Sequence, residues 1–319
     1  MDSKIFVIDE KKIKDLDISP KLCVDWVREA FFVKDNAQLP AKLSVHPQGE
    51  DFITTMPCLL PNNAEECFFG VKVVSRIEGQ VPCLNSEIFL YNSKTGKLKA
   101  IIDGNWITAM RTGAVAALAA KTFQKSGTDT YSLLGLGSIA EATALCLIAD
   151  NSNRKINFRL LKYKNQAELF KEHFRKYDNV TFEIIDNKTD FIRDADVVIS
   201  CVTFAQELLF PNDCDYRPGI TVIPVHTRGF QNCDLFFDKV FGDDTDQIRN
   251  FKYFSKFKKY SEFHKVLLGE IHGRESDEER ILSYNYGIAL HDMFFAANIL
   301  NLLKKSNVDN NLLFETSLK

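Results

Sequence analysis

The ten residues Tyr131-Ser132-Leu133-Leu134-Gly135-Leu136-Gly137-Ser138-Ile139-Ala140 constrain this chain more than any other stretch. They read as a short buried strand, a tight turn, and the opening of a helix that stays apolar through Leu147. Gly135 makes the turn. Gly137 leaves the backbone bare, so that a pyrophosphate can come close, and Ala140 is small where helix packs on strand. Free amides and a positive dipole end at the helix start suit phosphate. Gly135, Gly137, Ser138, Ile139 and Ala140 are therefore candidate cofactor-binding residues. Such a turn also occurs in α/β domains that bind nothing, and the strand–turn–helix setting is what gives this one weight.

Strands and helices alternate from this point: Tyr131–Leu134, a helix to Ala149, Ile156–Leu161, a helix to Tyr177, Val180–Ile185, a helix, and Ala195–Val202. Ile220–Val225 and Lys239–Phe241 extend the series. Alternation at this length means parallel βαβ units, a Rossmann-type domain. Upstream the style differs. Ile5–Ile8 and a helical pattern over Leu22–Phe32 precede extended runs at Phe69–Val74, Glu87–Tyr91 and Leu98–Ile102, with hairpin-turn chemistry at Asn92–Gly96. An Ala-rich helix follows over Thr108–Phe123, with Thr108 as its expected N-cap. Gly287–Lys304 is a long helix with apolar periodicity. The fold class expected is α/β, a Rossmann dinucleotide-binding domain plus an α+β domain.

The residue type at the end of the second strand of a Rossmann domain bears on the cofactor. An Asp or Glu there binds ribose hydroxyls in NAD enzymes. Here the stretch is Arg159-Leu160-Leu161-Lys162-Tyr163-Lys164-Asn165, without an acid. Lys162 and Lys164 either pair with a 2′-phosphate, which favours NADP(H) over NAD(H), or are two solvated loop lysines.

A formal net charge of −3 gives no footing for nucleic acid or an anionic membrane surface. Lys252, Lys256, Lys258 and Lys259 lie among aromatics but read as a solvated face. The eight cysteines form no CxxC pair, which speaks against a zinc site. No apolar run is long enough to span a bilayer, and Met1–Glu10 has no apolar signal core. Reduced thiols in a cytoplasmic protein are expected.

Several further segments, in this order and spacing, resemble the ornithine cyclodeaminase and mu-crystallin family. Asp103-Gly104-Asn105-Trp106-Ile107-Thr108-Ala109-Met110-Arg111-Thr112-Gly113-Ala114 is similar to its "DG..iT..RTaA" segment. Ala195–Thr203 is similar to its "aDvvvtaT" strand. Gly273-Arg274 with Gly287-Ile288-Ala289-Leu290-His291-Asp292 resembles its "GR…G.a.eD" ending. Met56-Pro57 and Gly70-Val71-Lys72 match its "mP" and "G.K". The resemblance implies a homodimer with two domains per chain. Residues 1–121 plus 293–319 would form the substrate-binding and dimerisation domain, and 122–292 the Rossmann domain, with the site in the cleft between them.

By the same resemblance, Lys72 and Arg111 contact a small carboxylate-bearing substrate, Arg111 as a bidentate grip. Lys42 stands where many relatives have arginine and would bind carboxylate as a point charge. Met56 and Gly287 would line the substrate site. Thr112, Cys201, Val202 and Thr203 belong with the cofactor, Thr203 approaching the nicotinamide ribose. One departure stands out in Val222–Leu235. Arg228 takes the place of the carboxylate that acts on the amino group in cyclodeaminases, and a cation is no general base. His226, two residues away, either replaces that base or is an ordinary strand-end histidine. The leading expectation is an NAD(P)-dependent oxidoreductase working at the Cα of an amino, imino or keto acid. A cyclodeaminase-type lyase using bound NAD, and a binding protein without turnover, are the alternatives.

Overall fold

A computed structural model describes residues 5–61, 67–203, 205–226 and 228–306. The outer ends of the expected segments 1–121 and 293–319 lie outside the described residues. By packing, the chain forms two compact units: Met1–Arg111 with Ile288–Lys319, and Thr112–Gly287.

The first unit is built on a six-stranded sheet. Its strands are β1 (Phe6–Ile8), β2 (Leu43–Val45), β3 (Phe52–Leu59), β4 (Phe68–Arg76), β5 (Leu84–Asn92) and β6 (Leu98–Asp103), in the order β1-β6-β5-β4-β3-β2. From β2 to β6 it is an antiparallel meander, and β1 joins β6 in parallel. Side chains alternate across the pleat, so cross-strand partners share a face. Met56 pairs with Lys72, Lys72 with Ile88, and Ile88 with Ile102. All four are buried. The C-terminal helix Ala289–Lys305 packs over β3, β4 and β5, and against the helix Pro20–Phe32, where Trp26 meets Phe295 edge-on. Gly70 permits this approach, because a Cβ there would run into Met293 Sδ and lie 2.9 Å from the Phe89 carbonyl.

The second unit carries an all-parallel eight-stranded sheet: β7 (Thr130–Leu134), β8 (Ile156–Leu161), β9 (Val180–Ile185), β10 (Val197–Ser200), β11 (Thr221–Pro224), β12 (Lys239–Gly242), β13 (Tyr260–Glu262) and β14 (Ile281–Tyr284). The order is β13-β12-β14-β11-β10-β7-β8-β9. The chain runs outward from β7 through β8 to β9, then returns to place β10 on the other flank of β7. That reversal is the topological switch point at which doubly wound sheets bind ligands. Near-continuous apolar strands such as Val197–Ile199 and Ile281–Leu282 are buried on both faces, as parallel sheets require.

Several expectations need adjusting. The Ala-rich helix spans Asn105–Phe123, so Thr108 lies in its first turn and is not its N-cap. Thr108 Oγ1 donates to the Gly104 carbonyl at 2.6 Å and meets Ser86 Oγ at 2.9 Å. The helix expected to reach Tyr177 stops at His173, and the strand placed at Ala195–Val202 is only Val197–Ser200. Among the described residues, no helix is long and apolar enough to cross a membrane.

Gly113, inside the second unit, lies against the helix Ser138–Asp150. A Cβ there would come 2.5 Å from the Thr143 amide nitrogen and 2.6 Å from the Ala142 carbonyl carbon. Backbone cannot yield as a side chain can. Gly113→Val is expected to lower unfolding stability by about 1–3 kcal/mol, read from urea melts. Gly137→Ala, with nothing within 4 Å of the added atom, should stay within about 0.5 kcal/mol of the parent. Equal melts for the two variants would contradict this packing.

Candidate functional site

In the first unit, strand β4 and two helices bring three charged groups to one atom. Lys72 Nζ donates to Asp292 Oδ1 at 2.9 Å, and Arg111 Nε donates to the same oxygen at 3.0 Å. Lys72 and Asp292 have 0% of their surface exposed, and Arg111 5%. Lys72 points into the interior because it shares the buried face of the sheet with Met56 and Ile88. Arg111 comes from the first two turns of the helix that follows β6, and Asp292 from the first turn of the C-terminal helix.

Burial pulls the Lys72 ammonium down to about 8; Asp292 opposes the shift, while Arg111 and Lys42 add to it. Burial alone would raise Asp292, but Arg111 and Lys72 outweigh it and hold the carboxyl below its ordinary range. Near neutral pH the centre thus has two cations and one anion. Lys42 is half-buried just ahead of β2. His291 has both ring nitrogens buried without a hydrogen-bond partner and stands edge-on to Phe31, with ring centroids 4.5 Å apart. Burial, with Arg111 adding to it, pulls its pKa to about 3.

In the second unit, the glycine turn connects β7 to the helix Ser138–Asp150. Gly135 has φ +77, and a Cβ on it would sit 2.5 Å from the Cys201 carbonyl carbon and the Val202 nitrogen at the end of β10. Gly135 therefore serves the turn and the strand packing together. Gly137 caps the helix in an extended conformation, exposed and with open space where a side chain would be. The first amides of a helix have no acceptor within it, so Ser138, Ile139 and Ala140 present donors at the switch point. These features fit a dinucleotide pyrophosphate. Cys201 contributes backbone here, since burial pushes its thiol up to about 12. Val202 is half-buried and Thr203 exposed, while Thr112 is buried in the Ala-rich helix.

The Gly287 amide, with φ +80, donates to Asp243 Oδ2 at 2.9 Å. Lys162 Nζ is 3.0 Å from Asp186 Oδ1. Lys164 adopts φ +52 and holds its ammonium 5.3 Å from the Tyr163 ring centroid. His226 Nε2 lies 2.6 Å from Ser200 Oγ, and burial pulls the imidazole to about 4, against the opposing Arg228 backbone. It is therefore neutral near pH 7. Arg228 is exposed. Asp234 accepts from Tyr284 Oη at 2.7 Å, a buried structural contact.

Sequence reasoning missed the role of Asp292, although the "eD" match marked its position. It also missed His291, Ser200 as partner of His226, and Asp186.

Residues 7–307 match the model of the ornithine cyclodeaminase/mu-crystallin family. The chain belongs to that family. It is 24% identical over 287 residues to a nodulation efficiency protein of Rhizobium meliloti, covering 83% of this chain and 84% of that one. It is also 24% identical over 281 residues to the N-((2S)-2-amino-2-carboxyethyl)-L-glutamate dehydrogenase of Staphylococcus aureus, covering 82% of each. The fold is shared with a Thermococcus litoralis Δ1-pyrroline-2-carboxylate reductase solved in complex with NADH and L-proline. That structure has a TM-score of 0.84 and 21% identity, over 95% of this chain and 98% of that one.

Two buried neutral histidines give the stability a definite acid dependence. Both folded pKa values, about 4 for His226 and about 3 for His291, lie below the ordinary 6.5. The unfolded chain then binds protons first as pH falls below 6.5, and stability is lost from there toward pH 3. Melting temperatures taken between pH 7 and 4 should fall steadily. His291→Phe should flatten part of that slope, and an unchanged slope would refute the assignment.

Proposed function

We propose that this family member is a nicotinamide-dependent oxidoreductase that adds hydride to, or removes it from, the Cα of a small α-imino or α-amino acid. The observation carrying the reading is where the first unit leaves polar atoms unpaired. Among its described residues, every buried side-chain polar atom lacking a hydrogen-bond partner belongs to Arg111 (Nη1), His291 or Asp292 (Oδ2). Each such group costs about 1–3 kcal/mol in a protein interior. Arg111 offers a donor, Asp292 an acceptor, and the centre holds one excess positive charge. A carboxylate answers the free donor and the positive charge beside it, and the N–H of an adjacent protonated imine answers the free acceptor. The names of two similar proteins, a reductase of Δ1-pyrroline-2-carboxylate and a dehydrogenase of an amino-carboxyethyl glutamate, support this substrate class.

Arg111 and Lys72 grip the carboxylate and Lys42 adds positive field, while Met56 lines the same face. Asp292 Oδ2 accepts the N–H of the iminium and stabilises its charge. The glycine turn at Gly135–Ala140 would hold the pyrophosphate of a reduced nicotinamide dinucleotide, which would supply a hydride. Addition of hydride at Cα would put the π electrons of C=N onto nitrogen and leave a neutral amine that keeps its N–H. Thr112, Val202 and Thr203 complete the cofactor side, and Lys162 with Lys164 favours NADP(H), NAD(H) remaining usable. Arg228 replaces the carboxylate that a cyclodeaminase would need, and His226 is too weak a base to stand in. We place the protein as a cytoplasmic homodimer, which the family resemblance and eight free thiols support.

Mixing the protein with NADPH or NADH and a panel of cyclic and open-chain imino acids should consume reduced cofactor, read by absorbance. Arg111→Ala should raise KM by about 30- to 1000-fold, the loss of a buried charged partner. Asp292→Asn should lower kcat and, since Lys72 and Arg111 then lose their buried counter-charge, also lower stability. Cofactor binding without consumption of any imino or keto acid would sink the reading.

The Lys72 ammonium sets a second expectation. With its pKa lowered to about 8, the carboxylate loses one of its two cations as pH rises past that value. kcat/KM should fall on the alkaline side, and Lys72→Arg, always charged, should move that limb upward. An identical alkaline limb in both proteins would rule Lys72 out as its origin.

A further inference from the structure

We propose that Asp186 is the residue that sets the balance between phosphorylated and unphosphorylated dinucleotides; this rests on reading the second unit as the dinucleotide-binding one. Strands β8 and β9 are parallel neighbours in register, Leu161 opposite Ile185. The next residue of each strand is therefore delivered to the same end of the sheet. The Lys162 amide donates to the Ile185 carbonyl at 2.9 Å, and Lys162 Nζ reaches Asp186 Oδ1 at 3.0 Å. Both side chains are open to solvent, 43% exposed for Lys162 and 74% for Asp186.

The second strand of a Rossmann domain ends where the adenosine ribose binds, and the charge found there discriminates between a 2′-hydroxyl and a 2′-phosphate. By its own strand this chain offers two lysines and no acid. The neighbouring strand supplies the acid. Asp186 neutralises Lys162, leaving Lys164 as the unneutralised cation of the loop. A 2′-phosphate, with a charge near −2, would have to take Lys162 from Asp186 and then bear that carboxylate as a like-charged neighbour. A 2′-hydroxyl meets no such repulsion and can donate to the carboxylate. Asp186 thus works against the two lysines and keeps the unphosphorylated cofactor competitive. Exposed ion pairs hold weakly, so the pair can open, and the discrimination is graded rather than absolute. Glu168, in the first turn of the next helix, also acts on Lys162 through space, but the hydrogen-bonding acid is Asp186.

The test is equilibrium binding of NADPH and NADH to the full chain, followed by cofactor fluorescence at fixed ionic strength. Wild type, Asp186→Asn, Glu168→Gln, and the double variant Asp186→Asn with Lys162→Ala are compared. Asp186→Asn should shift the ratio of the two dissociation constants toward NADPH by about 3- to 10-fold, mainly by tightening NADPH. Removing Lys162 as well should cancel the part of that gain that the freed lysine produces, leaving only the relief of like-charge repulsion. Glu168→Gln should leave the ratio within 2-fold. An unchanged ratio in Asp186→Asn, or an equal shift in Glu168→Gln, overturns the proposal while leaving dinucleotide binding intact. Wild type that binds neither cofactor overturns the underlying reading, and the proposal with it.

Discussion

One carboxylate oxygen, Asp292 Oδ1, accepts hydrogen bonds from two buried cations, Lys72 and Arg111. Either cation would be intolerable there without it. Moving an isolated charge from water into a protein interior costs several kcal/mol even after relaxation. The carboxylate comes from a helix that must therefore lie directly over β4. The bare backbone at Gly70 admits that helix, and Trp26 and Phe295 lock it against its neighbour. The tight packing of this region and its unsatisfied polar atoms are two faces of one arrangement. Enough charge is paired to let the unit fold, while a donor on Arg111, an acceptor on Asp292 and a net positive charge stay unanswered within it.

The second unit meets its own constraint by backbone proximity instead of charge. Gly135 is required twice over, once by its left-handed conformation and once by the main chain of Cys201 and Val202 beside it. This contact pins the turn to the end of β10. The neighbouring Gly137 is under no such pressure, and its openness points outward. Two glycines two positions apart thus have different surroundings, the first pressed against main chain, the second with open space where a side chain would be.

What the sequence disclosed follows from the range of the interactions. Turns, strand periodicity and the glycine pattern are local, and the βαβ series was legible within a few residues at its edges. Segment order also pointed to the family. The pairing of Lys72 with Asp292 spans 220 residues, and no periodicity can announce it. Only the sheet register places Lys72 on the buried face with Met56 and Ile88. Asp186 escaped notice because a parallel neighbour strand, not its own loop, carries it to Lys162. The two readings of His226 stayed open for the same reason. Its pKa is lowered by burial, and its hydrogen-bond partner Ser200 lies 26 positions away; its flanking residues reveal neither.

The first unit draws on both Met1–Arg111 and Ile288–Lys319, whereas Thr112–Gly287 is one uninterrupted segment. During synthesis, chains fold domain by domain as they emerge, at about 5–20 residues per second. Lys72 and Arg111 are then made long before Asp292 exists. Until the last helix arrives they have no counter-charge, and hydration holds them out of any interior. The six-stranded sheet consequently cannot close its buried face early, while the parallel sheet already has every strand it needs. The unit carrying the charged centre can be completed only once Ile288–Lys319 is made, whereas Thr112–Gly287 is made in full before that.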